Sequence, residues 1–116
     1  DYDFILIDCP PSLNILTINA LTAADTVLVP IQCEYYALEG LNQVLKTVEL
    51  VRKKLNPQLE LEGVVFTMYD ARTNLSLQVV ESVKSNLNQT IYKTRSTGAE
   101  SYRMLAAEVI SRGEEL

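Results

Sequence analysis

Short apolar runs alternate along this chain with longer stretches in which apolar residues recur every three or four positions. The runs lie at Phe4–Ile7, which ends at Asp8, at Val27–Ile31, within Leu59–Met68 and, most briefly, at Thr90–Tyr92. Continuous apolar runs of this length are typical of strands buried on both faces of a parallel sheet. The pattern therefore predicts four strands.

The stretch after the first run is apolar on most sides and predicts a mostly buried helix, and amphipathic stretches after the other three runs predict three more helices. Their ends carry the expected signals, which are polar N-cap residues, a capping box, proline and glycine. The predicted helices run from a Ser12 cap to Ala24, from Ala37 to about Asn56 before Pro57, from a Thr73 or Asn74 cap to Leu87, and from the Thr97–Glu100 capping box to Gly113.

Regular alternation of strand and helix predicts an α/β fold with a mostly parallel sheet, right-handed crossovers and helices on both faces, in three layers. At 116 residues the chain is long enough for one domain, residues 1–116. The connection Lys93–Gly98 is unusual. Its sequence, Lys-Thr-Arg-Ser-Thr-Gly, has no turn chemistry of its own and suggests two ends brought together near residues 94 and 95.

Composition narrows the possible functions. The net charge is −5, which gives no global support to nucleic-acid binding, although a local basic patch is compatible with it. With no histidine and only Cys9 and Cys33, the chain can form neither a Ser-His-Asp triad nor a Cys-His pair, and a zinc site is excluded. No run approaches the roughly 20 apolar residues of a membrane span, and no signal peptide opens the chain, so we expect a soluble, cytoplasmic protein with no membrane partner.

Asp8 is the first candidate site residue, because ligands bind at the carboxyl ends of strands in open α/β sheets. An apolar strand ending in aspartate resembles a Walker B strand, whose carboxylate helps to hold magnesium. The alternative is an aspartate that only caps the following turn. A phospho-acceptor receiver module also fits the length, with Thr67 and Lys93 in supporting positions, but the sequence lacks the acidic pair that such a site needs.

Several segments together resemble the ParA/Soj family of chromosome and plasmid partitioning ATPases, a deviant Walker A class of P-loop proteins. The resemblance covers Tyr2 to about Arg112 in family order. It rests on the segments Ile7–Leu13, Leu16–Leu21, Gln32–Gly40 and Asp70–Leu75.

The resemblance implies ATP and magnesium as cofactors and assigns roles to individual residues. Asp8 would support magnesium, directly or through water, Cys9, Pro10 and Pro11 would sense the γ-phosphate, and Thr67 and Met68 would lie near the base. Four cations are implied as DNA contacts: Arg72, for which pairing with Asp70 is the equal alternative, and the weaker candidates Lys84, Arg95 and Arg103.

The chain also departs from the family. No Walker A loop precedes Asp8, and a family segment that helps to enclose the adenine is missing between Thr94 and Arg95. We therefore expect a partial P-loop NTPase fold lacking the Walker A strand, with a deletion or gap near residues 94–95 and no ATP hydrolysis by this chain alone. The family implies self-association, a centromere-binding protein partner, non-specific DNA binding and a nucleoid location. A non-catalytic α/β scaffold is the remaining alternative.

Overall fold

The computed structural model of the chain describes residues 1–9, 13–32, 34, 36–67, 72–86, 91–93 and 99–114. Within them, four helices and three strands alternate. In chain order they are α1 (Ile15–Ala23), β1 (Thr26–Gln32), α2 (Ala37–Lys54), β2 (Glu60–Thr67), α3 (Asn74–Asn86), β3 (Ile91–Lys93) and α4 (Ala99–Glu114). No helix among the described residues is both long enough and apolar enough to cross a membrane.

The strands form a parallel sheet in the order β1-β2-β3. Ile31 pairs with Phe66 and Gln32 with Thr67, so β1 and β2 end at the same edge of the sheet. Between the Val27 and Leu28 pairings the register shifts by one residue, which leaves an extra residue on β2 as a bulge. The predicted α/β class with a parallel sheet is confirmed.

The main core lies between one face of this sheet and the helices α2 and α3. Right-handed connections place both helices on that face, because each joins two neighbouring parallel strands. Phe66 and Leu41 are completely buried at the centre of this layer. The buried residues of the cluster are Val29, Ala37, Leu41, Val64, Phe66, Val79, Val80 and Val83.

The prediction of a buried strand at Phe4–Ile7 is wrong for this structure. The segment forms no strand, and all its side chains are exposed, Leu6 to 91%. An apolar run gains a hydrogen-bond ladder only when a neighbouring strand is available, and in the described part of the chain β1 pairs with β2 alone. The apolar pattern indicates a strand as a local tendency, but among the described residues no neighbouring strand pairs with Phe4–Ile7.

Helix ends differ from the predicted ones by a few residues. Ser12 lies outside the described residues, and α1 is capped by Asn14, whose Oδ1 accepts hydrogen bonds from the backbone N–H groups of Leu16 and Thr17 at 3.0 and 3.3 Å. Of the two predicted caps of α3, Thr73 and Asn74, the structure shows Thr73, whose hydroxyl accepts a 3.2 Å bond from the Ser76 N–H. Gly113 does not end α4, since the helix continues to Glu114.

Two side chains tie the end of α2 to its surroundings. The Asn56 amide donates to the carbonyls of Leu21 and Ala24 at 3.1 and 2.8 Å, which joins α1 to the turn before β2. Arg52 donates to the Leu59 carbonyl at 2.7 Å and pairs with Glu49. The cation in the last turn of α2 therefore has a specific structural role beyond complementing the helix dipole.

A third side-chain contact attaches α4 to the sheet. Arg112 donates to the backbone carbonyl of Glu62 at 3.0 Å and lies 3.5 Å from its carboxylate. Because Glu62 is the extra residue of the bulge, it lies outside the ladder pairing. A second contact joins α4 to the amino-terminal segment, since the Phe4 ring lies beside Gly113.

The two helical glycines provide a matched pair for a stability test. We expect Gly40→Ala to stabilise the chain by about 0.5–1 kcal/mol, because alanine is the better helix former and nothing lies within 4 Å of the added methyl group. At Gly113 the same methyl group would meet the Phe4 ring at 3.1 Å. Urea unfolding followed by circular dichroism should therefore show a smaller gain, or a loss, for Gly113→Ala; equal gains would contradict this packing.

Candidate functional site

The carboxyl edge of the sheet brings together two of the elements that sequence reasoning associated with ligand binding. Thr67 ends β2, is half-buried and pairs with Gln32 at the end of β1. Tyr36, which is 74% exposed, directly precedes α2 and therefore lies after the carboxyl end of β1. Open α/β sheets bind ligands at this edge, where the structure places Thr67, and its role near a nucleotide base stays a prediction.

Asp8 and Cys9 lie in the exposed segment that leads toward α1. The exposed carboxylate of Asp8 is a hard oxygen donor, the ligand type that magnesium prefers. The Cys9 thiol has one weak contact, 3.9 Å from the Ile7 carbonyl oxygen. Pro10 and Pro11, the rest of the predicted phosphate-sensing segment, lie outside the described residues, as does Met68.

The four candidate DNA contacts are spread over separate elements. Arg72 is exposed just before α3, and Arg103 is exposed on α4. Lys84 belongs to α3, but its side chain is outside the described part, and Arg95 and the alternative Arg72 partner Asp70 lie outside it altogether. Arg72 lies between the carboxyl end of β2 and the start of α3, so among the described residues it is the candidate near the carboxyl edge of the sheet.

The described residues form only part of a binding site for a magnesium nucleotide. Within the ranges that the structure describes, no group of three cysteine, aspartate or glutamate residues could hold a metal ion. Asp8 is suited to supply one ligand, while phosphate binding needs a cradle of backbone N–H groups and a lysine. The described residues alone therefore do not build a complete Mg-ATP site.

A hollow that sequence reasoning missed lies between the start of α1, the end of β1 and the first half of α2. Its volume is about 470 Å³, and it opens to solvent beside Gly40. The lining residues are Leu13, Ile31, Gly40, Gln43 and Val44. The available signal was Gly40 itself, since a glycine inside an otherwise regular amphipathic helix is less stable than alanine and leaves space where a side chain would be.

Charge is distributed unevenly along the sequence. The first 45 residues carry six acidic residues and neither lysine nor arginine, whereas the remaining 71 carry nine acidic and ten basic residues. The first group includes α1, β1 and the start of α2. The first 45 residues therefore carry no cationic side chain, which the overall net charge does not reveal.

Comparison with known proteins identifies the class. A profile of the AAA domain family matches residues 1–61. Two solved structures share the fold. A cobyrinic acid a,c-diamide synthase from Mycobacterium smegmatis, determined with a bound ATP analog and magnesium, is 42% identical, with a TM-score of 0.75 over 89% of this chain and 44% of that one. A plasmid partition protein from Borrelia burgdorferi is 22% identical, with a TM-score of 0.70 over 92% and 44%, and supports the fold alone. The chain thus has a partial P-loop NTPase fold.

Sequence relatives define the family more closely. The sporulation initiation inhibitor protein Soj of Bacillus subtilis is 52% identical over 97% of this chain and 54% of its own length. The chromosome partitioning protein ParA of Caulobacter vibrioides is 46% identical over 96% and 50%. This chain belongs to the ParA/Soj family of partitioning ATPases, and it spans about half the length of these relatives.

The alignment with Soj also contains a difference in length. It extends over 136 positions, while 97% of the 116 residues is about 113, so about 23 positions of the alignment face no residue of this chain. None of the relatives named here is a receiver module, which leaves the phospho-acceptor alternative without support among them.

Proposed function

We propose that this chain forms the carboxyl-terminal part of a ParA/Soj-type ATPase that segregates chromosomes or plasmids. The observation that carries the proposal is the 52% identity with Soj over 97% of the chain. The whole protein would bind ATP and magnesium, dimerise in response to nucleotide, bind DNA non-specifically and respond to a centromere-binding protein. The ATP analog and magnesium bound by the Mycobacterium smegmatis relative support the choice of cofactors.

In this proposal Asp8 supports magnesium through its exposed carboxylate, and Cys9, Pro10 and Pro11 follow it as the segment that responds to the γ-phosphate. Thr67 and Met68 lie toward the base. Thr67 is held by the β1-β2 ladder, which fixes its position at the carboxyl edge of the sheet. Phosphoryl transfer depends almost entirely on positioning and electrostatic stabilisation, so this chain alone, without a phosphate-binding loop, does not hydrolyse ATP.

DNA binding is assigned to Arg72, Lys84, Arg95 and Arg103. Each cation would neutralise a backbone phosphate, which gives contacts that are independent of sequence and sensitive to salt. The net charge of −5 opposes strong binding by this chain alone. We therefore assign DNA affinity to the dimer of the whole protein, in which two such sets of cations act together.

We also propose an internal shortening between β3 and α4, near residues 94–95. The 23 unmatched positions of the Soj alignment support a shortening. The Lys93–Gly98 connection is the place that the sequence favours, and residues 94–98 lie outside the described part. Such a shortening would remove a segment beside the proposed base site.

The decisive experiment joins this chain to the amino-terminal remainder of Bacillus subtilis Soj, with and without the Soj positions that this chain lacks. We expect the fusion to hydrolyse ATP in a magnesium-dependent reaction. In the Asp8→Asn variant the hydrolysis rate should fall about ten-fold or more, which corresponds to an activation barrier higher by at least about 1.4 kcal/mol. Calorimetry on the chain alone should detect no ATP binding.

The matched control is Asp3→Asn, which removes another exposed carboxylate from the same segment and should leave the rate unchanged. Activity restored only when the missing positions are supplied would assign them to nucleotide binding. Micromolar ATP affinity of the chain alone, or equal loss from Asp3→Asn and Asp8→Asn, would refute the proposed roles.

A further inference from the structure

Gln32 ends β1 and lies beside Thr67 in the sheet, because the ladder between β1 and β2 pairs these two residues. Neighbouring strands lie about 4.8 Å apart, so a group that contacts Thr67 at this edge is within reach of a glutamine side chain on the next strand. The segment Gln32–Gly40 carries part of the family resemblance, and the proposed function leaves its first residue without a role.

The side chains of Gln32 and Thr67 point to the same face of the sheet. The preceding pair, Ile31 and Phe66, packs into the core between the sheet and the helices α2 and α3. Since successive side chains of a strand alternate between faces, Gln32 and Thr67 both turn to the opposite face. They do so at the carboxyl edge, where open α/β sheets bind their ligands. The pair therefore forms one side of the proposed base site.

The backbone of Gln32 is held on both sides. The ladder fixes it against β2, and the Glu34 N–H donates to the Gln32 carbonyl at 3.0 Å, which turns the chain directly after the strand. Among the residues that the structure describes, by contrast, none bonds to the side-chain amide of Gln32. An amide on a fixed backbone can bind a ligand with little reorganisation.

A glutamine amide can recognise adenine through two hydrogen bonds. Its oxygen accepts and its NH₂ group donates, and adenine offers the complementary pair, a 6-amino donor beside a ring nitrogen that accepts. The hydroxyl of Thr67 can donate to or accept from the same ligand. A site built around such bonds rejects an analogue that lacks one of the bonding groups, because the polar atoms of the site then stay unpaired.

We propose that Gln32 is a specificity-determining residue of the nucleotide site and selects adenine. Its amide oxygen accepts from the 6-amino group of the base, and its NH₂ group donates to the neighbouring ring nitrogen, while Thr67 contacts the base at the same edge. The inference rests on the proposed function, since it requires the nucleotide that the whole protein would bind. It adds a residue of β1 to a base site that the resemblance assigns to Thr67 and Met68.

The test uses the fusion with the amino-terminal remainder of Bacillus subtilis Soj and two nucleotides, ATP and purine riboside triphosphate, which is ATP without the 6-amino group. Competition against a fluorescent ATP analog measures both affinities. We expect the fusion to bind ATP about ten-fold more tightly than purine riboside triphosphate. In Gln32→Met, which keeps the length of the side chain but has no amide, the two affinities should become nearly equal.

Two further variants separate base recognition from a structural role. Gln32→Glu keeps an accepting oxygen but has no donor, so it should retain part of the preference for the 6-amino group while ATP binds more weakly. Gln58→Ala removes an exposed glutamine before β2, at the other edge of the sheet, and should change neither affinity.

The outcomes distinguish this inference from the proposed function. If Gln32→Met weakens both nucleotides equally, or keeps the full preference of the parent fusion for ATP, Gln32 does not read the base, and the proposed function stands without it. A fusion that binds neither nucleotide would overturn both. The comparison is made between variants whose unfolding midpoints by circular dichroism match that of the parent fusion.

Discussion

Replacing Phe66 with alanine is expected to destabilise this chain by about 3–5 kcal/mol. Phe66 lies next to the carboxyl end of β2, is completely buried, and belongs to the cluster that joins the sheet to α2 and α3. Its removal forfeits the transfer free energy of a large ring and leaves a cavity between two layers, since neither helix can collapse without losing its own contacts. A domain is stable by only about 5–15 kcal/mol, so such a loss is a large part of that margin.

Urea unfolding by circular dichroism measures this loss, and Leu50→Ala is the matched control. Leu50 lies on the outer side of α2 and is 54% exposed, so its truncation should change the free energy of unfolding by about 0.5 kcal/mol or less. Similar losses for the two variants would mean that the α2-β2-α3 layer is not the core of the folded chain.

Replacing Asn56 with alanine has the second largest expected effect, a loss of about 2–3 kcal/mol. The Asn56 amide donates to the carbonyls of Leu21 and Ala24, and its Oδ1 accepts from the Gln58 N–H at 3.3 Å. Without the side chain, the carbonyls at the end of α1 lose partners in a partly buried position, and α1 is no longer joined to the turn before β2.

Asn56→Asp refines the test, because aspartate keeps the acceptor oxygen but provides no amide donor. It should therefore be about as destabilising as alanine. Gln58→Ala should be close to neutral, because Gln58 bonds to Asn56 through its backbone N–H, which alanine keeps. Proteolysis within α1 should become faster in both Asn56 variants. A neutral Asn56→Asp variant would show that the two donated bonds contribute nothing.

Much of the fold was predictable from the sequence because its elements satisfy local rules. The α2 stripe, with Leu41, Val48 and Val51 turned inward, follows from helical periodicity alone. The position of β2 was predicted to within one residue at each end, since its apolar run is long and its partners lie on both sides. The predicted α2 end at Asn56 was two residues late, because the backbone leaves the helical conformation at Leu55, which has φ −126° and ψ −38°.

Phe4–Ile7 shows why the remainder was not predictable. Its apolar residues indicate a strand correctly as a local tendency, yet strand formation depends on a neighbour that local sequence does not specify. The same limit applies to the site. Asp8 and Thr67 could be proposed from strand ends, whereas the hollow above Gly40 arises from three elements far apart in sequence.

The sequence by itself determined the α/β class, the helix stripes, the ParA/Soj resemblance and the acidic character of the first 45 residues, because each depends on residues close together or on their order. Only the tertiary structure decided that β1 pairs with β2 and β2 with β3, that Arg112 and Asn56 join separate elements, and that nothing in the described structure lies within 4 Å of an added Gly40 side chain. These features depend on which surfaces meet after long-range packing, and that packing is fixed by the whole set of buried contacts and not by any single segment.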